Sequence, residues 1–384
     1  MKFDVHVCLV SGQPTPNLVP IWAEEFRPQK VILVVTPKMR QNASALEHVI
    51  KQRCQIQVQQ IYIENEYDTA GIGEHLLNLL ADEDKEKVAL NVTGGTKLMA
   101  IGAYKTFSDL GYPVFYWTEK GQIQILDTDQ MVEVKNPKIR IEDYLALHGF
   151  SVLEGKAKRQ INTNWLPVAQ ELIQARNSLG GVLGTLNFAI SKAKEHNPQT
   201  TTIQLDRLDN QNLDYLIQIL EKHQLASFKD NVIRFESIDA RDYIAGAWFE
   251  EYVFDCVKKI PNIQDCAMGV QIDSVDLQEK NRNELDVVVM YNNSLHILEC
   301  KTINFQSEHL SNAQRNEPIY KLETLKKLGG LKTRKALISY RALTGKAKYM
   351  KKRADGSEIH ILETKDLGGL STELANWFTN KGNK

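Results

Sequence analysis

The stretch Glu284-Leu285-Asp286-Val287-Val288-Val289-Met290-Tyr291-Asn292-Asn293-Ser294-Leu295-His296-Ile297-Leu298-Glu299-Cys300-Lys301 holds two apolar runs on either side of Asn292-Asn293. Asparagine tolerates the positive φ of a two-residue hairpin loop, so the pattern predicts two antiparallel strands joined by a tight turn. With Asn292-Asn293 as the loop, Tyr291 opposes Ser294, and counting back sets Asp286 opposite Glu299. Directly opposed residues have Cβ atoms about 4.5–5.5 Å apart. Because side chains alternate, Lys301 shares the face of Glu299, and Glu284 that of Asp286. Val288, Met290, Leu295 and Ile297 lie on this same face, while Leu285, Val287, Val289 and Leu298 take the other. A hairpin apolar on both faces belongs in a core, where charged groups are costly unless they have a purpose.

Two carboxylates that close need a cation. Mg²⁺ or Mn²⁺ prefers oxygen donors of this kind, and the main-chain carbonyl of Cys300 offers one more. A metal there would polarise a phosphate and acidify a bound water, with Lys301 orienting that water or stabilising charge on the phosphorane. A surface ion pair is the competing explanation, and the apolar residues on both faces argue against it. The preceding helix, read over 242–259, supplies another acid. Glu250 lies on the apolar stripe of Val253, Phe254 and Val257 and is expected as a third metal ligand, whereas Glu251 falls beside Asp255 and Lys258 on the side expected to be solvated.

Glu250, Asp286, Glu299 and Lys301, ordered helix–strand–strand, resemble the PD-(D/E)XK nuclease superfamily of restriction-endonuclease-like enzymes. The resemblance implies metal-dependent phosphodiester hydrolysis, with Asp286 and Glu299 as ligands, Glu250 completing the site and Lys301 assisting the nucleophile. Leu285 stands where the superfamily often has proline.

Upstream, residues 1–147 alternate apolar strands (Phe3–Val10, Lys30–Thr36, Ile56–Ile63, Lys87–Thr93, Tyr112–Thr118) with helical patterns at 18–26, 42–53, 68–81 and 97–109. Such alternation predicts a doubly wound parallel α/β sheet, whose ligands bind at the carboxyl ends of the strands. Those ends carry Ser11-Gly12-Gln13, Thr36-Pro37-Lys38 and Asn91-Val92-Thr93-Gly94-Gly95-Thr96-Lys97. The last opens a helix, whose N-terminus favours phosphate. Neither a Walker A loop nor GxGxxG is present, and a tight turn without a ligand is the competing explanation. This segment resembles the CRISPR-associated Rossmann-fold (CARF) sensor domain. Fused to a nuclease, it implies a cyclic-oligoadenylate-activated effector of type III CRISPR systems, usually homodimeric. Its ligand would be lined by Ser11, Gln13, Thr36, Thr93, Gly94, Gly95, Thr96 and Lys97, and is most often cyclic tetra-adenylate.

Between them, residues 148–238 show helices at 166–177, 181–195 and 211–224 and a hairpin turning at Asp230-Asn231, the pattern of a winged-helix module. Gln211–Gln224 holds Asp214, Glu221 and one Lys222, too little positive charge for a major-groove reader, so a structural spacer or dimerisation role is favoured. Residues 239–384 form a third, mixed α/β domain. The alternatives are a ligand-sensing transcriptional regulator working through the winged helix, with an inert C-terminal domain, and a constitutive restriction or repair nuclease.

The 384 residues have ordinary globular composition, 42% hydrophobic and 25% charged, which excludes wholesale disorder. Five scattered cysteines, with no CxxC, exclude a zinc ribbon and suit a reducing, cytoplasmic setting. Asp4 within the first apolar run marks it as a strand and not a signal peptide, and no run approaches membrane-spanning length. The net charge of −1 argues at first against a nucleic-acid partner, but it is unevenly spread. Lys301–Arg353 holds fourteen basic and three acidic residues, a local +11 against −12 elsewhere. Its densest run, Lys346–Arg353, is expected to border the active site as a phosphate-binding margin for DNA or RNA.

Overall fold

The structure, a computed structural model, describes residues 2–81, 87–118, 120–135, 137–205, 211–275, 282–308 and 310–379. It divides into two compact units: Met1–Ser151 with Ser274–Lys280 and Lys327–Leu331, and Val152–Asp273 with Asn281–Lys326 and Lys332–Lys384. No described helix is long and apolar enough to cross a membrane.

Among the described residues of the first unit, seven strands form one sheet. They are β1 (Val5–Leu9), β2 (Lys30–Val35), β3 (Gln57–Tyr62), β4 (Val88–Asn91), β5 (Val114–Trp117), β6 (Gln122–Ile125) and β7 (Gln130–Glu133). The order is β3-β2-β1-β4-β5-β6-β7, with β1 to β5 parallel. Helices Thr15–Trp22, Arg40–Cys54, Thr69–Leu80 and Lys97–Asp109 connect these strands, as the alternation predicts. Every residue of β1 is buried, as expected of a strand covered on both faces, whereas β3 at the edge keeps its glutamines half exposed. The chain order reverses between β1 and β4, and that switch point is where such sheets open a crevice. The antiparallel pair β6 and β7 extends the sheet beyond the strands read from the sequence.

In the second unit, helices Leu166–Gln174, Arg176–His196 and Gln211–Lys222 accompany a three-stranded sheet, with β9 (Thr202–Gln204) before the third helix and β10 (Ala226–Lys229) and β11 (Val232–Phe235) after it, in the order β10-β11-β9. Asp230 and Asn231 take φ of 51° and 62°, which makes the expected hairpin turn. Leu213, Leu216 and Leu220 of this module share one hydrophobic core with Trp248, Phe254, Val287 and Leu298.

The remaining sheet runs β16-β15-β14-β13-β12-β8. Its strands are β8 (Phe150–Val152), β12 (Asp265–Ser274), β13 (Asn283–Tyr291), β14 (Ser294–Lys301), β15 (Arg334–Ser339) and β16 (Ile359–Leu362). Strands β12 to β14 form an antiparallel meander, while β14, β15 and β16 are mutually parallel. A parallel step from β14 to β15 demands a crossover. Helix Asn312–Thr324 supplies it, its N-terminus closed by a capping box of Ser311 and Gln314. The helix expected over 242–259 is instead a short helix Ile238–Asp242, a π turn Tyr243–Ala247 and helix Trp248–Lys258.

Candidate active site and ligand crevice

Asn292 and Asn293 adopt φ of 49° and 52°, the left-handed pair that a two-residue hairpin needs. The Gln264 side chain locks this turn: its Nε2 donates to Asn293 Oδ1 at 2.8 Å, and Asn293 N donates to Gln264 Oε1 at 2.7 Å. The register follows the count from the turn, Tyr291↔Ser294 through Val287↔Leu298. One step further the ladder opens, and the Asp286 side chain takes the place of a carbonyl. Its Oδ2 accepts the Cys300 amide at 2.8 Å.

Asp286 and Glu299 are both buried, with side chains 8% and 1% exposed, so their charge must be met inside the protein. Lys301 Nζ stands 2.6 Å from Glu299 Oε1 and 3.3 Å from Asp286 Oδ2. Burial opposes the Lys301 charge, but Asp286 and Glu299 outweigh it and hold the ammonium above its ordinary value. Burial, and then the Asp286 charge, push the Glu299 carboxyl up. Glu250, on the inward stripe of helix Trp248–Lys258, is pushed up to about 8 by burial and then by Asp286. The shift favours the neutral form of Glu250 beside the Asp286 and Glu299 carboxylates.

Sequence reasoning missed Lys321. This residue reaches in from the crossover helix and places Nζ 2.9 Å from Glu299 Oε1, 2.7 Å from Oε2 and 3.6 Å from Asp286 Oδ1. A signal was present: Pro318, Lys321, Leu322 and Leu325 stand at i, i+3, i+4 and i+7, a core stripe with a lysine in it.

Glu251 departs from expectation. Burial raises its carboxyl, which accepts a backbone hydrogen bond from Asn162 near Lys158, and its Oε2 is buried without a hydrogen-bond partner. The helix is covered on this side as well, so the acid expected to be solvated is half-buried. The basic run Lys346–Arg353 is also less open than its composition implies. Lys346 pairs with Glu308 at 3.3 Å, Lys351 with Glu363 at 2.7 Å and Arg353 with Glu323 at 3.4 Å, while Lys348 and Lys352 stand outside these pairs and Lys346, Lys348, Lys352 and Arg353 are all exposed.

Among the described residues, no group of three or more His, Cys, Asp or Glu side chains is placed to hold a metal ion. Asp286 and Glu299 nevertheless suit a hard divalent cation by donor chemistry. Glu299 Oε2 is buried with no aligned hydrogen bond, its counter-charge being the Lys321 ammonium.

In the first unit, the residues expected to line a ligand gather around the β1–β4 switch point. Ser11 Oγ accepts from Gln13 N at 3.3 Å, Thr96 caps helix Lys97–Asp109 by accepting from Met99 N at 3.2 Å, and Lys97 is exposed on its first turn. Thr36 closes β2 and is buried. Beneath them lies a polar network that the sequence did not reveal. Asn17 Nδ2 donates to Leu9 O at 2.9 Å, Asn91 Nδ2 to Asn17 Oδ1 at 3.1 Å, and Thr93 Oγ1 to Asn91 Oδ1 at 2.6 Å. Gly94 is pressed on the same carbonyl, since a Cβ there would stand 2.1 Å from Leu9 O. At the crevice edge, a Cβ on Gly330 (φ 62°) would stand 2.3 Å from Gln13 Nε2, and Tyr144 Oη donates to Gly329 O at 3.0 Å. A separate cleft of about 480 Å³ over the ends of β2 and β3, lined by Arg40, Tyr62 and His75, contains none of the expected ligand residues.

A sensor-type α/β sheet followed by an endonuclease-type domain with a buried carboxylate–lysine cluster defines the class. Residues 5–144 match the Card1 CARF domain and residues 237–381 the Card1-like endonuclease domain, so the chain carries both. Its fold matches protein VC1899 from Vibrio cholerae, with TM-score 0.84 and 23% identity over 97% of each chain. It also matches Can2 from Sulfobacillus thermosulfidooxidans, solved in complex with cyclic tetra-adenylate, with TM-score 0.78 and 26% identity over 98% of each chain. A type III CRISPR defence DNA nuclease activated by cyclic oligoadenylate shares the fold at TM-score 0.53 and 18% identity, over 89% of this chain and 46% of that one. A comparison with curated proteins returns no match.

Proposed function

We propose that the protein is a metal-dependent endonuclease acting on DNA or RNA with little sequence preference, switched on by a cyclic oligoadenylate held by the CARF domains of a homodimer. The observation that carries the nuclease reading is the convergence of Asp286, Glu299 and Lys301 at the opened end of a buried hairpin. Asp286, Glu299 and the Cys300 carbonyl would hold Mg²⁺ or Mn²⁺, with Glu250 beside them. When bound, the ion supplies Lewis-acid polarisation of the scissile phosphate and an acidified water. Lys301, fixed by both carboxylates, orients the attacking water and carries charge that builds on phosphate oxygen. Glu250, whose carboxyl is pushed up by burial and by Asp286, is the third acid at this point and would complete the ligand set when the ion binds.

Cyclic tetra-adenylate is the favoured activator because Can2, alike over nearly the whole chain, was solved with it. Dimerisation is supported by helix Lys97–Asp109, which follows the Gly94-Gly95 turn and leaves Leu98, Ile101 and Tyr104 exposed along one face, Ile101 at 61%. A second copy of this helix is the occupant that a two-fold sensor requires. The winged-helix regulator has no such support. Lys222, the one lysine of helix Gln211–Lys222, is paired with Glu171 at 2.7 Å.

The deciding experiment is cleavage of single-stranded and supercoiled substrates by purified protein, with Mn²⁺ and with or without cyclic tetra-adenylate. Activator-dependent cleavage should fall at least about a thousandfold in Asp286→Asn and in Lys301→Ala, as expected when groups acting on the transition state are removed. Undiminished cleavage by either variant refutes the assignment.

A further inference from the structure

Four oxygens line the carboxylate pair, and they are not equivalent. Asp286 Oδ2 is met by the Cys300 amide and by Lys301, and Glu299 Oε1 lies 2.6 Å from Lys301. Asp286 Oδ1 and Glu299 Oε2 are left, and the ammonium that reaches both is Lys321, at 3.6 Å and 2.7 Å, which also donates to Glu299 Oε1 at 2.9 Å. Lys301 is on the same strand as Glu299 and is held in place by it. Lys321 arrives from a different element, a crossover helix, and its side chain is about a quarter exposed. A flexible four-carbon stem ending in a strongly hydrated charge can withdraw at modest cost.

We propose that Lys321 is a positioning residue that stands in for the divalent cation. Its ammonium holds the Asp286 and Glu299 carboxylates together in the metal-free protein and gives up that place when the ion enters. The inference rests on the metal-dependent reading above. It assigns to Lys321 an effect opposite to that of an ordinary structural residue, because removing its charge strengthens the binding of the metal. The competing cation is lost, and the carboxylate pair is left one positive charge short.

The test is calorimetric titration of full-length protein with Mn²⁺ alone, without nucleic acid or activator. Lys321→Met, and Lys321→Gln as the polar alternative should the methionine variant fold poorly, are expected to bind Mn²⁺ at least tenfold more tightly than wild type. Lys321→Arg, which keeps the charge, should not. The metal-free Met and Gln variants should melt below wild type and recover on adding Mn²⁺, by a larger rise than wild type shows. If wild type binds Mn²⁺ in a manner lost in Asp286→Asn, yet the Met and Gln variants bind it equally or more weakly, the stand-in role is overturned and the metal site remains. If wild type shows no Mn²⁺ binding that depends on Asp286, both fall together.

Discussion

Gly94→Ala tests whether the ligand crevice is built as its hydrogen bonds imply. An added Cβ would lie 2.1 Å from the Leu9 carbonyl oxygen and 3.3 Å from Asn17 Nδ2, and the nearest atom is backbone, which cannot swing aside. The turn must move away from β1 by more than an ångström, and forcing an extra carbon into packed structure costs about 1–3 kcal/mol. The same carbonyl accepts from Asn17 Nδ2 at 2.9 Å in a buried contact. Disrupting that bond leaves a donor and an acceptor unmet, at about 1–3 kcal/mol more. A total near 4 kcal/mol, at roughly 2–4 °C per kcal/mol for a unit of this size, predicts a fall in melting temperature of about 8–16 °C. Scanning calorimetry of the full chain measures it, and Gly12→Ala is the internal control, since a Cβ at Gly12 meets nothing within 4 Å. Titration with cyclic tetra-adenylate should show lost binding in Gly94→Ala. A melting shift under about 3 °C, or retained wild-type affinity, would show that the turn does not depend on this close approach.

Three further outcomes are expected. His6 is fully buried between the Phe26 and Phe115 rings, both its nitrogens lack partners, and burial lowers it to about 3. As pH falls through 6.5 the unfolded chain takes up a proton that the folded chain refuses, so stability present above pH 6.5 is lost toward acid. By pH 5 the His6 share of that loss is about 2 kcal/mol, so denaturant titrations at pH 7 and pH 5 should show His6→Leu losing about 2 kcal/mol less than wild type, the remaining loss coming from groups such as His148 and His296, which burial also lowers. Ile101→Glu should convert a dimer to monomer in sedimentation equilibrium, while a dimer unchanged by the substitution would place the interface elsewhere. Gly330→Ala puts a side chain where φ is 62° and drives Gln13 from its position. The backbone cost is about 1–2 kcal/mol, and titration should show cyclic tetra-adenylate affinity altered severalfold, whereas unchanged affinity would remove Gln13 from the ligand.

The hairpin that carries the candidate site was legible because each of its signals is local. Asn292-Asn293 sets the turn, the turn sets the register, and the register sets Asp286 beside Glu299. Strand–helix alternation likewise made the parallel character of the sheet legible up to β5, since each crossover is short. The hairpin of β6 and β7 escaped notice because Gln122–Ile125 and Gln130–Glu133 alternate with glutamine and glutamate, an edge pattern easily read as loop.

What stayed hidden is the set of polar groups whose partners are distant in the chain. Asn17 and Asn91 are 74 residues apart, and nothing in either neighbourhood says that the two side chains meet beneath the Gly94 turn. Glu251 looked solvated because only its own helix was counted, whereas Asn162 and Lys158 come from outside it. Lys321 is the most instructive case. On its own helix it interrupts an apolar stripe, and helical periodicity alone reads such a lysine as a flaw in the pattern. The stripe faces a sheet already known to hold two buried carboxylates, and a β14–β15 parallel step obliges this helix to cross that face. Charge balance then requires a second cation near Asp286 and Glu299 whenever no metal is bound, since Lys301 alone leaves the pair one charge short. The crossover helix is the element that the topology brings past them, and Lys321 is the cation that it delivers.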